Sequence, residues 1–161
     1  MYKKKLFEIN ANFELEIDHA LHAIKKGPFH LCDVRLAQII IDSWIFLQEH
    51  QFVYICAICV MGNHVHALVR APEGKETIDL GKLMNRHKSH TARLCNRILG
   101  TTGTQFWEKF YFDRTVRQGK FDRAMWYVLN NPVKSGQVKD WRDWPGTYLN
   151  PDFDALYRNP G

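Results

Sequence analysis

The chain has 161 residues, 45% of them hydrophobic and 13% aromatic, and a formal charge of +5. This is enough apolar material for the core of one ordinary domain, which excludes a disordered polymer, and no apolar run reaches the roughly 20 residues that span a bilayer. Residues 1–6 carry charge but lead into polar sequence rather than an apolar leader, so a cytoplasmic, non-membrane protein is expected; the mild basicity alone favours a polyanionic partner only weakly.

In chain order, residues 14–26 have moderately helical spacing (Leu15, His19, Leu21, Ile24), stopped by Gly27 and Pro28. Asp33 is placed as the N-cap of a deeply packed helix to about His50, with Ala37, Ile40, Ile41, Trp44, Ile45 and Leu47 on its apolar side. Residues 53–60 and 64–70 alternate as the arms of a hairpin, with Met61, Gly62 and Asn63 as a turn whose Gly and Asn tolerate positive φ. Thr77 or Asp79 opens a long helix to about Ile98. A flexible connector, 100–104, leads to an aromatic-rich strand over 106–117. A short helix from 120 to 131 ends at Pro132, and a turn-rich tail with tryptophans follows. This order predicts an α+β fold, a ferredoxin-like sandwich with helices packed on an antiparallel sheet, in a single domain over 1–161.

Of the four cysteines, Cys56 and Cys59 form a C-x-x-C followed by His64 and His66, which raises a zinc site. Positions three apart on a strand point to opposite faces, and the finger spacing is absent, so Cys32, Cys56, Cys59 and Cys95 read as reduced thiols, the pair as buried structural ones.

Three patterns carry chemistry. His64 and His66 lie two apart on one strand, so both imidazoles leave the same face while Val65, Ala67 and Val69 leave the other; this suits one metal ion, although paired surface histidines are common. On the last helix Phe121, Ala124, Met125 and Val128 form an apolar stripe, with Lys120, Tyr127 and Asn131 aligned along its edge; a boundary tyrosine before an Asn-Pro stop would look the same. On the long helix Lys82, Arg86, Ser89, Arg93 and Arg97 share a narrow arc without a carboxylate, opposite Leu80, Leu83, Met84, Leu94 and Ile98. A one-sided basic stripe suits phosphate contacts better than a merely solvated face, which mixes signs.

Met61-Gly62-Asn63-His64-Val65-His66 resembles the Met-Pro-Asn-His-Val-His signature of the HUH single-tyrosine transposases, with glycine for proline. Lys88 to Arg97, with the following Leu99-Gly100, is similar to that family's Lys-x-x-x-Ala-Arg stretch. Phe106-Trp107-Glu108 through Tyr111-Phe112-Asp113-Arg114, Val116 and Arg117 resembles its Trp-Gln…Tyr-Asp-Arg…Arg segment. Tyr127-Val128-Leu129-Asn130-Asn131-Pro132-Val133-Lys134-Ser135-Gly136 matches its Tyr-Ile-x-x-Asn-Pro-Val-x-Ala-Gly motif closely, and residues 141–148 look like its tail. The REP-associated branch fits best. The resemblance implies Tyr127 as nucleophile, His64, His66 and Asn131 as ligands of Mg²⁺ or Mn²⁺, and Arg114, Arg117 and Lys120 as DNA contacts beside the basic helix. It implies nicking and rejoining of single-stranded or hairpin DNA through a 5′-phosphotyrosine. The branch implies a monomer rather than a homodimer. The family opens with an apolar strand before its first helix; residues 1–12 offer none, so a sheet short of that strand, from an N-terminally truncated copy, is expected.

Two other readings stand beside this one: a catalytically silent protein that binds hairpin DNA, and a metal-dependent nuclease that uses water in place of tyrosine.

Overall fold

In the computed structural model, which describes residues 14–22 and 28–160, the segment expected to be the first helix is a strand. β1 spans Glu14–Ala20, with Leu15, Ile17 and His19 buried and the residues between them half-exposed. Its period is two, the pattern that lets one face meet a core, and tertiary burial overrides the helix preference of Glu and Leu. The sheet is therefore not short of an opening strand before the first long helix. Residues 1–12, on which the missing strand was read, lie outside the described residues, as do residue 13 and 23–27 from the end of the expected helix.

The next elements follow expectation. α1 (Val34–Glu49) is capped by Asp33, whose carboxylate accepts from the backbone N–H of Arg35. β2 (Tyr54–Val60) and β3 (His64–Arg70) form the hairpin. Its turn departs from the expected chemistry, because neither Gly62 nor Asn63 has positive φ. Glycine at 62 answers to space: a Cβ there would meet Cys32 Sγ at 2.9 Å and the Phe29 ring at 3.1 Å, while the Gly62 carbonyl accepts from Leu31 N–H. α2 (Leu80–Leu99) is capped by Asp79 and ends on Gly100 at φ 70°, a left-handed turn that glycine adopts without strain.

The remaining elements are shorter than expected. The aromatic segment 106–117 is a strand only over β4 (Phe112–Thr115); before it, Trp107 makes a single bridge to Leu21. α3 (Phe121–Leu129) stops before Asn131, and α4 (Asn131–Lys134) restarts the chain with Pro132 in its first turn, where proline's missing N–H has no partner to lose. β5 (Thr147–Leu149) is a strand the sequence pattern did not indicate.

The five strands lie in the order β4-β1-β3-β2-β5, every neighbouring pair antiparallel. The β1-α1-β2-β3-α2-β4 part is the ferredoxin-like arrangement. One sheet face, with Leu15, Ile17, Val65, Ala67 and Val69, packs under α1 and α2. The other, with Cys56, Cys59 and Leu68, packs under α3 through Met125, Val128 and Leu129. A bulge between Ile55 and Ala57 in β2 puts both Cys56 and Cys59 on the α3 side, which overturns the opposite-face reading of the pair. Burial pushes both thiols up to about 12, so they remain protonated there, and among the described residues no group of three His, Cys, Asp or Glu could hold a metal. α2 also turns differently from expectation: His87, Thr91, Cys95 and Asn96 join Leu80, Leu83 and Met84 inside, whereas Ile98 is 40% exposed.

Those buried polar groups tie the α-layer together. Ser43 Oγ and His87 Nδ1 are 2.9 Å apart, Thr91 Oγ1 donates to the His87 carbonyl, and Trp107 Nε1 donates to Thr91 Oγ1. His19 packs edge-on to His87 with ring centroids 5.2 Å apart, and both nitrogens of His19 and Nε2 of His87 have no hydrogen-bond partner among the described residues. Burial lowers the pKa of both rings, that of His87 to about 3. Below the unfolded value of about 6.5 the unfolded chain takes up protons at these rings and the native chain does not, so stability falls as pH drops. The loss is on the order of 1 kcal/mol per pH unit for each ring, and for His87 it ends near pH 3. Urea unfolding at pH 7.5 and pH 5 should show a loss of a few kcal/mol, most of it absent from a folded His19→Leu, His87→Leu double variant.

Candidate functional site

The α3-facing side of β3 and β1 builds the site. His64 and His66 leave that face together, as alternation requires, and their ring centroids are 4.7 Å apart. Tyr127 rises from α3 beside them, its ring 5.6 Å from that of His66. It is anchored by Ala124 and Val128, which are buried, and is itself 47% exposed, so its hydroxyl is reachable from solvent.

β1 contributes a carboxylate that reading it as a helix had hidden. Asp18 is paired directly opposite His66, and its Oδ2 lies 3.6 Å from His66 Nδ1. His64 Nδ1 is 2.8 Å from Asn63 Oδ1. Each ring thus turns Nδ1 toward an oxygen, leaving Nε2 as the donor atom on both, the arrangement in which outer partners fix the tautomer of a ligating histidine. Burial lowers the pKa of both rings, with the Asp18 charge partly opposing it. Neutral imidazoles with a free nitrogen fit a divalent ion. No third His, Cys, Asp or Glu completes a set with them among the described residues.

A small cavity of about 160 Å³ opens between these groups, lined by Asp18, His66, Phe112, Arg114 and Tyr127 among others. Asn131, the expected third ligand, is half-buried at the start of α4 and does not line it. Arg114 is exposed on β4 and holds Glu16 through two contacts to Oε2, at 3.0 and 2.6 Å. Arg117 and Lys120 line a larger cleft that continues from Tyr127. The basic stripe of α2 lies on the other face of the sheet: Lys82, Arg86, Ser89, Arg93 and Arg97 are all exposed, with Arg86 over the Phe52 ring at 4.8 Å and Arg93 near His90. The structure thus brings His64, His66 and Tyr127 together, places Arg114, Arg117 and Lys120 around them, and sets the α2 stripe apart. Sequence reasoning missed Glu16, Asp18, Phe112, Arg123 and Lys134; the alternation of 14–20 would have exposed the first two, and the i, i+3 and i, i+4 spacing of Arg123 from Lys120 and to Tyr127 was legible.

A histidine pair with a tyrosine beside it, His66 and Tyr127 lining one small cavity on an antiparallel α+β sandwich, defines the class. Residues 32–131 match the family model described as "Transposase IS200 like", and the chain belongs to that family. Within it, the chain is 25% identical over 114 residues to a Haemophilus influenzae protein described as a REP-associated tyrosine transposase, covering 66% of this chain. It spans 65% of that relative's length. In fold it is similar to a solved structure of a REP-associated tyrosine transposase bound to a REP hairpin, with a TM-score of 0.68, 21% identity, 98% of this chain covered and 84% of the other. A transposase structure from Deinococcus radiodurans R1 aligns with a TM-score of 0.47, 16% identity, 81% of this chain covered and 95% of the other.

Proposed function

We propose that the protein nicks and rejoins single-stranded or hairpin DNA through a 5′-phosphotyrosine on Tyr127, acting as a monomer in the cytoplasm. The observation that supports this reading most is the Tyr127 ring standing 5.6 Å from that of His66, across a cavity that His66 and Tyr127 both line. The phenol oxygen of Tyr127 attacks the phosphorus and the P–O3′ bond breaks. The phenol proton passes to the water that reaches this half-exposed side chain, and the departing 3′-oxygen takes up a proton. A 3′-hydroxyl later attacks the phosphotyrosine and restores the phenol, so the ester conserves the bond energy for rejoining. A divalent ion such as Mg²⁺ or Mn²⁺, held by His64, His66 and Asn131, would supply positive charge to the attacked phosphate. Asp18 and Asn63 keep the two rings oriented, and Val128 and Ala124 hold Tyr127 at the cavity.

The test is a covalent adduct between the protein and a labelled hairpin oligonucleotide in Mg²⁺ or Mn²⁺, resistant to denaturant and mapped to Tyr127. One observation favours a second reading, a silent hairpin-binding protein: Asn131 does not line the cavity that His66 and Tyr127 share. Tight hairpin binding with no adduct would establish that reading. Metal-dependent cutting that survives loss of Tyr127 would mean that water is the nucleophile.

The α2 stripe belongs to the same proposal as a phosphate-binding face. Arg93→Ala with Arg97→Ala is the cleaner pair, since Arg86 also covers Phe52. If both bind phosphates, hairpin affinity falls similarly for different loop sequences, and the slope of log affinity against log salt drops by about 0.7–0.9 for each phosphate left without its cation. An unchanged slope in the folded double variant removes α2 from the DNA-binding surface.

A further inference from the structure

Five basic residues outside α2, Arg114, Arg117, Lys120, Arg123 and Lys134, line one cleft. It has a volume of about 820 Å³ and shares Glu16, Arg114 and Tyr127 with the small cavity beside His66, so the two are continuous. Five cations border it. Arg114 is held by Glu16 at 2.6 Å, which leaves Arg117, Lys120, Arg123 and Lys134 with no ion-pair partner among the described residues. All four are exposed. Glu16 is the one acid on its wall, and Arg114 neutralises it. Four unpaired like charges along one wall repel one another, and a polyanion relieves that cost.

The shape narrows the ligand. The volume lies within the range of pockets that enclose a drug-sized molecule, about 300–1,000 Å³. That is room for a few nucleotides of one strand. A second opening beside the small cavity differs in kind: Asp18, His64, Glu108, Phe110 and Phe112 border it, and its two carboxylates repel phosphates. The track through Tyr127 is therefore polarised, cationic on one side only.

We propose that this cleft holds the sugar-phosphate backbone of the strand being cut, on one side of the attacked phosphate, with Arg123 and Lys134 as anchoring cations. It rests on the strand-transfer reading above and adds a division of labour to it: single strand in the cleft beside α3, duplex on the exposed face of α2. Arg123 reaches the cleft one turn before Tyr127, and Lys134 from α4 beyond it, so the two bracket the nucleophile along the chain.

The test uses the full chain carrying Tyr127→Phe, with chelator present, so that no reaction contributes to binding. Two probes are titrated across a salt series: a single-stranded oligonucleotide without self-complementarity, and a hairpin without a single-stranded flank. Arg123→Ala with Lys134→Ala should weaken single-strand binding about tenfold or more and lower its salt slope by about 1.4, at about 0.7 for each phosphate that the two cations no longer neutralise. Hairpin binding should stay within about twofold, as additivity for a remote surface requires. Unchanged single-strand affinity and slope in a folded double variant overturns the assignment, as does an equal loss on both probes. If the parent chain binds neither probe, the strand-transfer reading fails together with this one. If it binds both and the double variant binds as the parent does, the cleft assignment alone fails.

Discussion

Tyr127→Phe should abolish the covalent protein–DNA adduct and leave hairpin binding within a few-fold of the parent. The substitution removes one oxygen from a side chain that is 47% exposed, so neither the core under α3 nor the basic surfaces change. Only the attacking atom is lost, and without it the P–O3′ bond has no protein nucleophile. Denaturing gels with labelled DNA read the adduct, and equilibrium titration reads the binding. If the adduct persists, the nucleophile is another residue, and Tyr111 is the next to test.

His64→Ala and His66→Ala should each reduce cleavage by more than about a hundredfold, because even partners outside a metal's coordination sphere cost about 10–100-fold when removed. Chelator should reproduce the effect on the parent and add nothing to either variant. The two substitutions should differ in folding cost: His66 is buried against Tyr127 and Asp18, whereas His64 is half-exposed at the start of β3. Far-ultraviolet circular dichroism therefore accompanies the assay, and His64→Ala is the cleaner variant. Undiminished cleavage in chelator, or in a folded His64→Ala protein, would remove the metal role.

How much of this was legible in the sequence depends on where burial and periodicity agree. α1, the β2–β3 hairpin and α2 were readable because Asp33 and Asp79 cap the helices and the hairpin carries long apolar runs. β1 was not, because Leu15, His19 and Leu21 satisfy helical spacing as well as alternation; only the buried side of the sheet decides between them. The aromatics of 106–117 suggested one long strand. In fact Phe106 and Trp107 enter the core, while Phe110 and Phe112 are 84% and 71% exposed beside the site. α2 misled because a buried histidine, threonine and asparagine stand on its inner face, satisfied in part by Ser43, Trp107 and Thr104. β5 is three residues long, too short for any period to show.

In the site the same split appears. His64, His66 and Tyr127 were readable from spacing and from the family signatures, because each lies on an element whose face was assigned correctly. Asp18 was lost with the strand that carries it, and Asn131 was placed on a continuous helix that instead breaks at Asn130.

The pairing of β1 with β3 runs Leu15 to Val69, Ile17 to Ala67 and Asp18 to His66 without a shift. A slip of one residue that turned β3 over would bring the imidazoles into the core under α1 and α2 and move Val65, Ala67 and Val69 to the side of α3. Burying two imidazoles in that apolar core is costly, so assembly of the sheet is itself a proofreading step for the site. Every molecule that passes it carries both histidines, and the carboxylate opposite them, on the face where Tyr127 stands. Substitutions that loosen this strand pair should therefore reduce the amount of folded protein long before they produce a folded population with a misassembled centre.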